Sequence, residues 1–319
     1  MEQLDITKVA DELKDRIRQK TKFYMDEMGV KPKLAIIRVG TDWASVHYET
    51  SLLKKCDMYG LDARVFTCLH STPFETFKRH WKQVNEDTSI DGVLLLQPLP
   101  ESYDLEWLMD TIDQRKDIDC FGTQNKALLY SGRNNIAPCT SQAVIEVMKY
   151  YNYLEKKNQK ICLIGRSEVV GKPLAQLLLN ENMTFNINHS KTPKELLLHN
   201  TSEADIIISC TGAGHLINNP NQFKEGVTIL DVGMKEADNG KLIGDFNPDA
   251  GLSVSGWYTP VRGGIGAITS LCLLEKVCDS AISLMPEQKQ EKIKRVYATN
   301  KNGDKLLAFD LPFCNEVEK

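Results

Sequence analysis

The chain has 319 residues, 42% of them hydrophobic and 26% charged, with a formal net charge of -4. That length suggests two domains, each able to bury its own core. The mild acidity argues against a nucleic-acid partner, and the lack of a long apolar run argues against a membrane span.

The N-terminus, MEQLDITKVADELKDR, is charged from the start and has no apolar signal core, which implies a cytoplasmic protein. Val9, Leu13, Ile17 and Phe23–Tyr24 recur among charges, predicting an amphipathic helix over 6–28. Leu34 to Val39 reads as the first strand and Ala44 to Tyr59 as a helix closed by Gly60. Ala63 to Leu69 is a second strand, Phe74 to Val84 a helix with Trp81 inward, and Val93 to Leu96 a third strand. That strand stops at Gln97-Pro98-Leu99-Pro100, where two prolines forbid further ladder pairing. Strands alternating with helices predict an α/β unit on a parallel sheet. Lys116 to Phe121 reads as a polar turn, and Thr140 or Ser141 as the cap of a bridging helix from Gln142 to Tyr153.

The second half is organised around Gly165-Arg166-Ser167-Glu168-Val169-Val170-Gly171-Lys172-Pro173. The buried-strand pattern Ile161–Ile164 precedes it, and a helical pattern from Leu174 follows, with Pro173 suited to the first turn. Such a turn presents backbone N–H groups and a helix N-terminus to a phosphate. Ser167 stands where the usual fingerprint has its second glycine, so a dinucleotide site and a ligand-free βα turn both fit. Further strands are predicted at Thr184–Asn188, Asp205–Cys210 and Val227–Asp231, each ending in small or polar residues at the edge where open α/β sheets bind ligands. Asp205 and Asp231 read as structural strand ends. A glycine-rich loop, Pro260 to Gly266, leads into a long apolar helix from Ala267 to Met285. The nine cysteines form no C-x-x-C pair, which implies reduced thiols and no metal site.

Several stretches together resemble the bifunctional methylenetetrahydrofolate dehydrogenase/methenyltetrahydrofolate cyclohydrolases, the FolD proteins. They are Gly40 with Ala44-Ser45 and Tyr48, Pro98-Leu99-Pro100, Lys116 to Asp119, Pro138-Cys139-Thr140, and Gly165 to Ser167 with Val170-Gly171 and Pro173. His189 to Thr192, Asp231-Val232-Gly233, Gly244-Asp245, and Pro260-Val261 with Gly263-Gly264 complete the set, which runs from about residue 5 to 285. The resemblance implies a folate domain over 1–141 plus 268–290, a Rossmann-like NAD(P) domain over 142–267, and an extension over 291–319. It further implies a homodimer, a cleft between the domains, hydride transfer from the methylene carbon of tetrahydrofolate to a nicotinamide, and hydrolysis of the methenyl product. The first step is chiefly positioning, because the folate nitrogen stabilises the developing cation. The second needs an acid–base group.

The sequence departs from the pattern where that acid–base group belongs. The family's lysine, four residues after the tyrosine, falls at Leu52, and its glutamine partner, four after Gly92, falls at Leu96. Gln97 follows and faces the opposite side of the strand. Losing one partner alone would strand a buried polar group at about 1–3 kcal/mol, whereas losing both leaves a dry wall. Lys54 points elsewhere, and Lys55 lies two turns along the Tyr48 face. Arg262 and Ala267 replace prolines of the family pattern, and Arg262 reads as solvated.

The candidate catalytic set is therefore Tyr48, Asp119, Leu52 and Gln97, with Leu96, Pro98, Leu99, Gly263, Gly264 and Ile265 joining Tyr48 and Asp119 around the substrate. Asp119 would accept hydrogen bonds from the pterin's amino-pyrimidine edge. The candidate cofactor set is Gly165, Arg166, Ser167, Gly171, Pro173, His189, Ser190, Thr211, Gly212, Val232, Gly233 and Met234. NAD calls for an acidic residue after the second strand; His189-Ser190 has none, so NADP is expected over NAD. The leading expectation is a folate-linked dehydrogenase with doubtful cyclohydrolase activity. A bifunctional enzyme with an altered site and a non-catalytic cofactor-binding homologue are the alternatives.

Overall fold

The computed structural model describes residues 1–133 and 136–290. The predicted extension over 291–319, with Cys314, lies outside the described residues. In chain order the elements are β1 (Glu2–Gln3), α1 (Ile6–Met28), β2 (Lys33–Val39), α2 (Trp43–Tyr59), β3 (Asp62–Cys68), α3 (Phe74–Glu86) and β4 (Gly92–Leu95). Then come α4 (Leu105–Thr111), α5 (Thr123–Tyr130), α6 (Cys139–Tyr150), β5 (Ile161–Ile164), α7 (Gly171–Asn180), β6 (Phe185–Asn188), α8 (Lys194–Ser202) and β7 (Ile206–Ser209). The chain closes with β8 (Val227–Asp231), β9 (Lys235–Glu236), β10 (Leu242–Ile243), β11 (Gly256–Tyr258) and α9 (Ile265–Ser283).

These elements form two compact units, and both are α/β with parallel sheets. The first takes Lys14–Ile136 and the described residues from Leu273 on; the second takes Met1–Leu13 and Ala137–Cys272. The expected division had residues 1–13 with the folate domain. By compactness they group with the second unit, whose sheet β1 extends with Glu2 and Gln3 in register with Trp257 and Tyr258. Helix α6, expected as a bridge, lies wholly inside the second unit, and α9 divides at Cys272/Leu273.

The first unit is built on a three-stranded parallel sheet of order β3-β2-β4. Ala35, Ile37 and Val39 of β2 bury one face against Phe77, Trp81 and Val84 of α3, the i, i+4, i+7 stripe of that helix. Trp81 is 1% exposed, as its sequence position predicted. On the α1 and α9 side lies a buried ion network. Lys20 Nζ is 2.9 Å from Glu275 and 2.6 Å from Asp279, and Arg16 Nε is 2.7 Å from Glu275. The two cations hold the Glu275 carboxyl well below its usual range against the penalty of burial.

The second unit has a six-stranded, all-parallel sheet of order β1-β11-β8-β7-β5-β6, plus the antiparallel hairpin β9-β10. Strands β5, β7 and β8 are buried along their whole length, which explains their unbroken apolar runs. One local expectation fails. Helix α6 starts at Cys139 behind Pro138 and has no side-chain cap. Ser141 sits inside the first turn, and its Oγ donates to the Val170 carbonyl at 3.0 Å, so this hydroxyl ties down the Gly165–Gly171 loop instead.

Candidate active site

In the first unit, β2 is flanked by β3 on one side and β4 on the other, so the chain's direction of travel reverses at β2/β4. That switch point, at the carboxyl ends of the strands, is where an open α/β sheet opens a crevice. Gly40 ends β2 with φ 81°, a left-handed conformation that a side chain would resist. Asp42 then caps α2, its carboxylate accepting from Ser45 N–H at 2.9 Å. Ser45 Oγ donates either to the same carboxylate at 2.9 Å or to the Gln97 carbonyl at 2.8 Å. This hydroxyl fixes the loop after β4 to the first turn of α2. Tyr48, half-buried, follows one turn later.

Beyond Tyr48 the face turns apolar. Leu52 is 0% exposed and Leu96 7%. The sequence pattern makes Leu52 a pocket wall; the structure makes it a core side chain with no surface of its own. Gln97 points outward and is exposed, as its alternation with Leu96 required. Pro98 is exposed, while Leu99 is half-buried and packs on the sheet's apolar core. Lys55 is half-buried with no ion pair or hydrogen bond among the described residues, and burial lowers its pKa below the usual ammonium value. Lys54 is exposed.

The polar turn at 116–122 separates structural charges from the candidate one. Lys116 Nζ donates to the carbonyls of Asn85 (2.7 Å) and Asp87 (2.8 Å). The buried Asp117 carboxylate accepts from Phe121 N–H, Gly122 N–H and Asn125 Nδ2, each at 2.9 Å. Lys116 ties the turn to the end of α3, and Asp117 is spent on the turn itself. Asp119, two residues on, is half-buried at its apex.

In the second unit the switch point lies between β5 and β7, the neighbours from which the chain goes opposite ways. The loop after β5 is made by two glycines. Gly165 has φ 129°, and a Cβ there would lie 2.5 Å from Cys210 Sγ; a Cβ on Gly171 would lie 2.5 Å from Gly165 O. The α7 N-terminus can close on the strand only because both are bare. Ser167 Oγ accepts from Val170 N–H (3.2 Å) and Gly171 N–H (3.3 Å), so it caps the turn from within. Pro173 is buried in the first helical turn. Arg166 projects into solvent, as do Ser190 and Lys191. The loop after β6 closes on itself, His189 N–H donating to Thr192 Oγ1 at 2.9 Å and Lys191 N–H to His189 Nδ1 at 3.2 Å. No carboxylate stands in that loop.

The loops after β7 and β8 are held from beneath by two buried carboxylates. Asp245 accepts from Ser209 Oγ (2.7 Å) and from the N–H groups of Thr211 (2.8 Å), Gly212 (3.3 Å), Ala213 (2.9 Å) and Gly214 (3.3 Å). Asp231 accepts from Gly233 N–H (3.0 Å), Asp245 N–H (3.1 Å) and Phe246 N–H (2.9 Å). Burial and the neighbouring Asp245 charge outweigh those donors and push the Asp231 carboxyl up to about 7. This bonding agrees with the reading of Asp231 as a structural strand end. Asp245 stands in the sequence only as half of a Gly-Asp pair; nothing there signals that it anchors the loop bearing Thr211 and Gly212. Val232 is half-buried, Gly233 buried and Met234 exposed. In the glycine-rich loop Gly263 and Arg262 are exposed and Gly264 is buried. Ile265, expected in the loop, is the first residue of α9 and 2% exposed.

Residues 4–119 match the family model for the catalytic domain of tetrahydrofolate dehydrogenase/cyclohydrolase, and residues 138–284 match its NAD(P)-binding domain. The chain belongs to this family. A bifunctional protein FolD of Clostridium kluyveri is 38% identical over 253 residues, 79% of this chain and 88% of that one. A solved FolD dehydrogenase/cyclohydrolase from Campylobacter jejuni superposes with TM-score 0.82 at 30% identity, covering 88% of this chain and 98% of the other. The Trypanosoma brucei dehydrogenase-cyclohydrolase, solved with NADP and an inhibitor, gives TM-score 0.79 at 26% identity over 86% and 95%. The second unit is thus the family's NAD(P)-binding domain, and the bare Gly165–Gly171 cradle is compatible with a bound dinucleotide.

Proposed function

We propose that this protein is an NADP-dependent 5,10-methylenetetrahydrofolate dehydrogenase with weak or absent methenyl hydrolysis. The observation that carries this reading is the pair Leu52 and Leu96, both buried and apolar where the family resemblance places a lysine and its glutamine partner. Buried hydrocarbon neither moves a proton nor holds a water. Dehydrogenation survives such a change because it needs chiefly two rings brought face to face. Tyr48 and Asp119 hold the pterin, and Leu96, Pro98 and Leu99 shape its pocket. Bound NADP supplies the hydride acceptor; this chain's part is to cradle its diphosphate at Gly165–Gly171. Arg166, Ser190 and Lys191 suit a 2′-phosphate, and the loop after β6, which carries no carboxylate, supports NADP over NAD. The relative solved with NADP supports the same choice. The protein acts in the cytoplasm as a homodimer through the cofactor unit. Exposed Leu179, Ile187, Leu196 and Leu198, on edge strand β6 and its flanking helices, support that surface.

The test measures the two steps separately. The expected result is methylene-dependent NADPH formation, slower with NAD, and methenyl hydrolysis no faster than the uncatalysed rate. Rapid hydrolysis overturns the reading of Leu52, and failure to bind either NADPH or a folate analogue overturns the enzyme reading. One observation favours a second reading. The half-buried Lys55 lies on the Tyr48 face, and a hydrolase activity that disappears in Lys55→Met would make the protein bifunctional through a displaced lysine.

A further inference from the structure

The turn after β5 is bonded within itself. Ser167 Oγ accepts from Val170 and Gly171 N–H, and Lys172 N–H donates to the Ser167 carbonyl at 3.0 Å. None of these bonds fixes where the turn sits on the sheet. Two others do. At its start Gly165 N–H donates to the carbonyl of Asn188, the last residue of β6, at 2.8 Å. At its end Ser141 Oγ of α6 donates to the Val170 carbonyl at 3.0 Å. Between those ties Arg166, Ser167, Glu168 and Val169 are exposed, so the two ends decide the placement.

The two ties differ in kind. The Gly165 bond is backbone to backbone and continues the strand ladder. The Ser141 bond depends on one side chain, 0% exposed in the first turn of α6. Its acceptor is well placed. Val170 is the N-cap of α7, and the same carbonyl accepts Leu174 N–H at 2.9 Å, the first rung of that helix. A carbonyl has two lone pairs and takes both donors. The hydroxyl therefore fixes the first turn of α7, and with it the close approach of Gly171 to Gly165. We propose that Ser141 is a positioning residue for the dinucleotide, its hydroxyl holding the cradle in the shape that receives the diphosphate. An anion gains most from N–H groups and a helix dipole already aimed at it. A loop that must first be ordered returns part of that gain. The inference rests on the reading of Gly165–Gly171 as a diphosphate cradle and deepens it. NADP and NAD share the diphosphate, so the hydroxyl raises the affinity for both and leaves the choice between them to the loop after β6.

The test uses the full-length protein, with Ser141→Ala, Ser141→Thr and Ser141→Cys titrated with NADPH and with NADH by nicotinamide fluorescence. In Ser141→Ala the Kd for each is expected to rise by about tenfold, the equivalent of one buried hydrogen bond, with the two losses within about threefold of each other. The KM for methylenetetrahydrofolate at saturating NADP stays at the parent's value. Ser141→Thr keeps a hydroxyl and restores the affinity, and Ser141→Cys, with its weak S–H donor, falls between. An Ala variant that binds both cofactors as the parent does overturns the proposal. So does a loss confined to NADPH, which places the effect at the 2′-phosphate. So does an equal loss in the Ala and Thr variants, or a matching rise in the folate KM, either of which marks a structural role. Should the extra methyl of Ser141→Thr prevent folding, Ser141→Cys carries the rescue. A parent protein that binds neither NADPH nor NADH overturns the diphosphate reading itself, an outcome visible before any variant is made.

Discussion

The two units place their candidate sites at the same landmark, the carboxyl edge of a parallel sheet at a switch point, yet build them from different material. In the cofactor unit the walls are backbone. Gly165 and Gly171 touch where no side chain fits, and Asp231 and Asp245 hold the loops after β7 and β8 by their N–H groups. In the folate unit the walls we propose are side chains: Tyr48, Leu96, Leu99 and Asp119, with Leu52 buried behind them. A site made of backbone tolerates drift at most positions and fails only where a glycine or anchoring carboxylate is lost. A site made of side chains changes its chemistry one residue at a time, as we propose for the leucines at 52 and 96.

The contrast is tested hardest by Asp245→Ala. This change removes the acceptor of the buried Ser209 hydroxyl and of the four N–H groups of the partly exposed 211–214 loop. The expected cost is on the order of 3 kcal/mol or more, with loss of cofactor affinity; thermal unfolding and NADPH titration read both. Unchanged NADPH binding would show that the loop does not depend on its carboxylate.

The next effect is in the folate unit. Leu52→Lys with Leu96→Gln buries a polar pair in place of hydrocarbon, at about 2–4 kcal/mol. If those two leucines alone block hydrolysis, formyl product appears in a methenyl hydrolysis assay. A stable, folded double variant without it would place the block elsewhere.

The smallest expected effect is a pH slope. Asp231 titrates at about 7 in the folded chain against roughly 4 when unfolded. Between those values the folded state holds a proton that the unfolded state has released. Its contribution to stability is therefore present on the acid side and falls as pH rises from about 4 to 7, by at most about 1.4 kcal/mol per pH unit, and is flat above. Denaturant unfolding at several pH values, compared with Asp231→Asn, isolates it; the variant should lack this component of the slope.

Much of this was legible in one dimension. Apolar runs at β2, β5, β7 and β8 announce buried parallel strands, because such strands show no polar face to water. Gly60, Gly165 and Pro173 mark turns and a helix start, because backbone geometry admits few residue types there. The short helices α4, α5 and α8 escaped because their stripes are too brief to show a period.

Residue type at a local spacing is enough to establish the fold class, the glycine turn after β5, and the leucines at 52 and 96 where the family resemblance implies a lysine and a glutamine. Other features exist only in three dimensions: Leu52 has no surface, Glu2–Gln3 adds to the cofactor unit's sheet as β1, Ser141 secures a distant loop, and Ser280 of α9 reaches the Arg115 carbonyl. Each of these rests on contacts between residues far apart in the chain, whose partners no local pattern encodes.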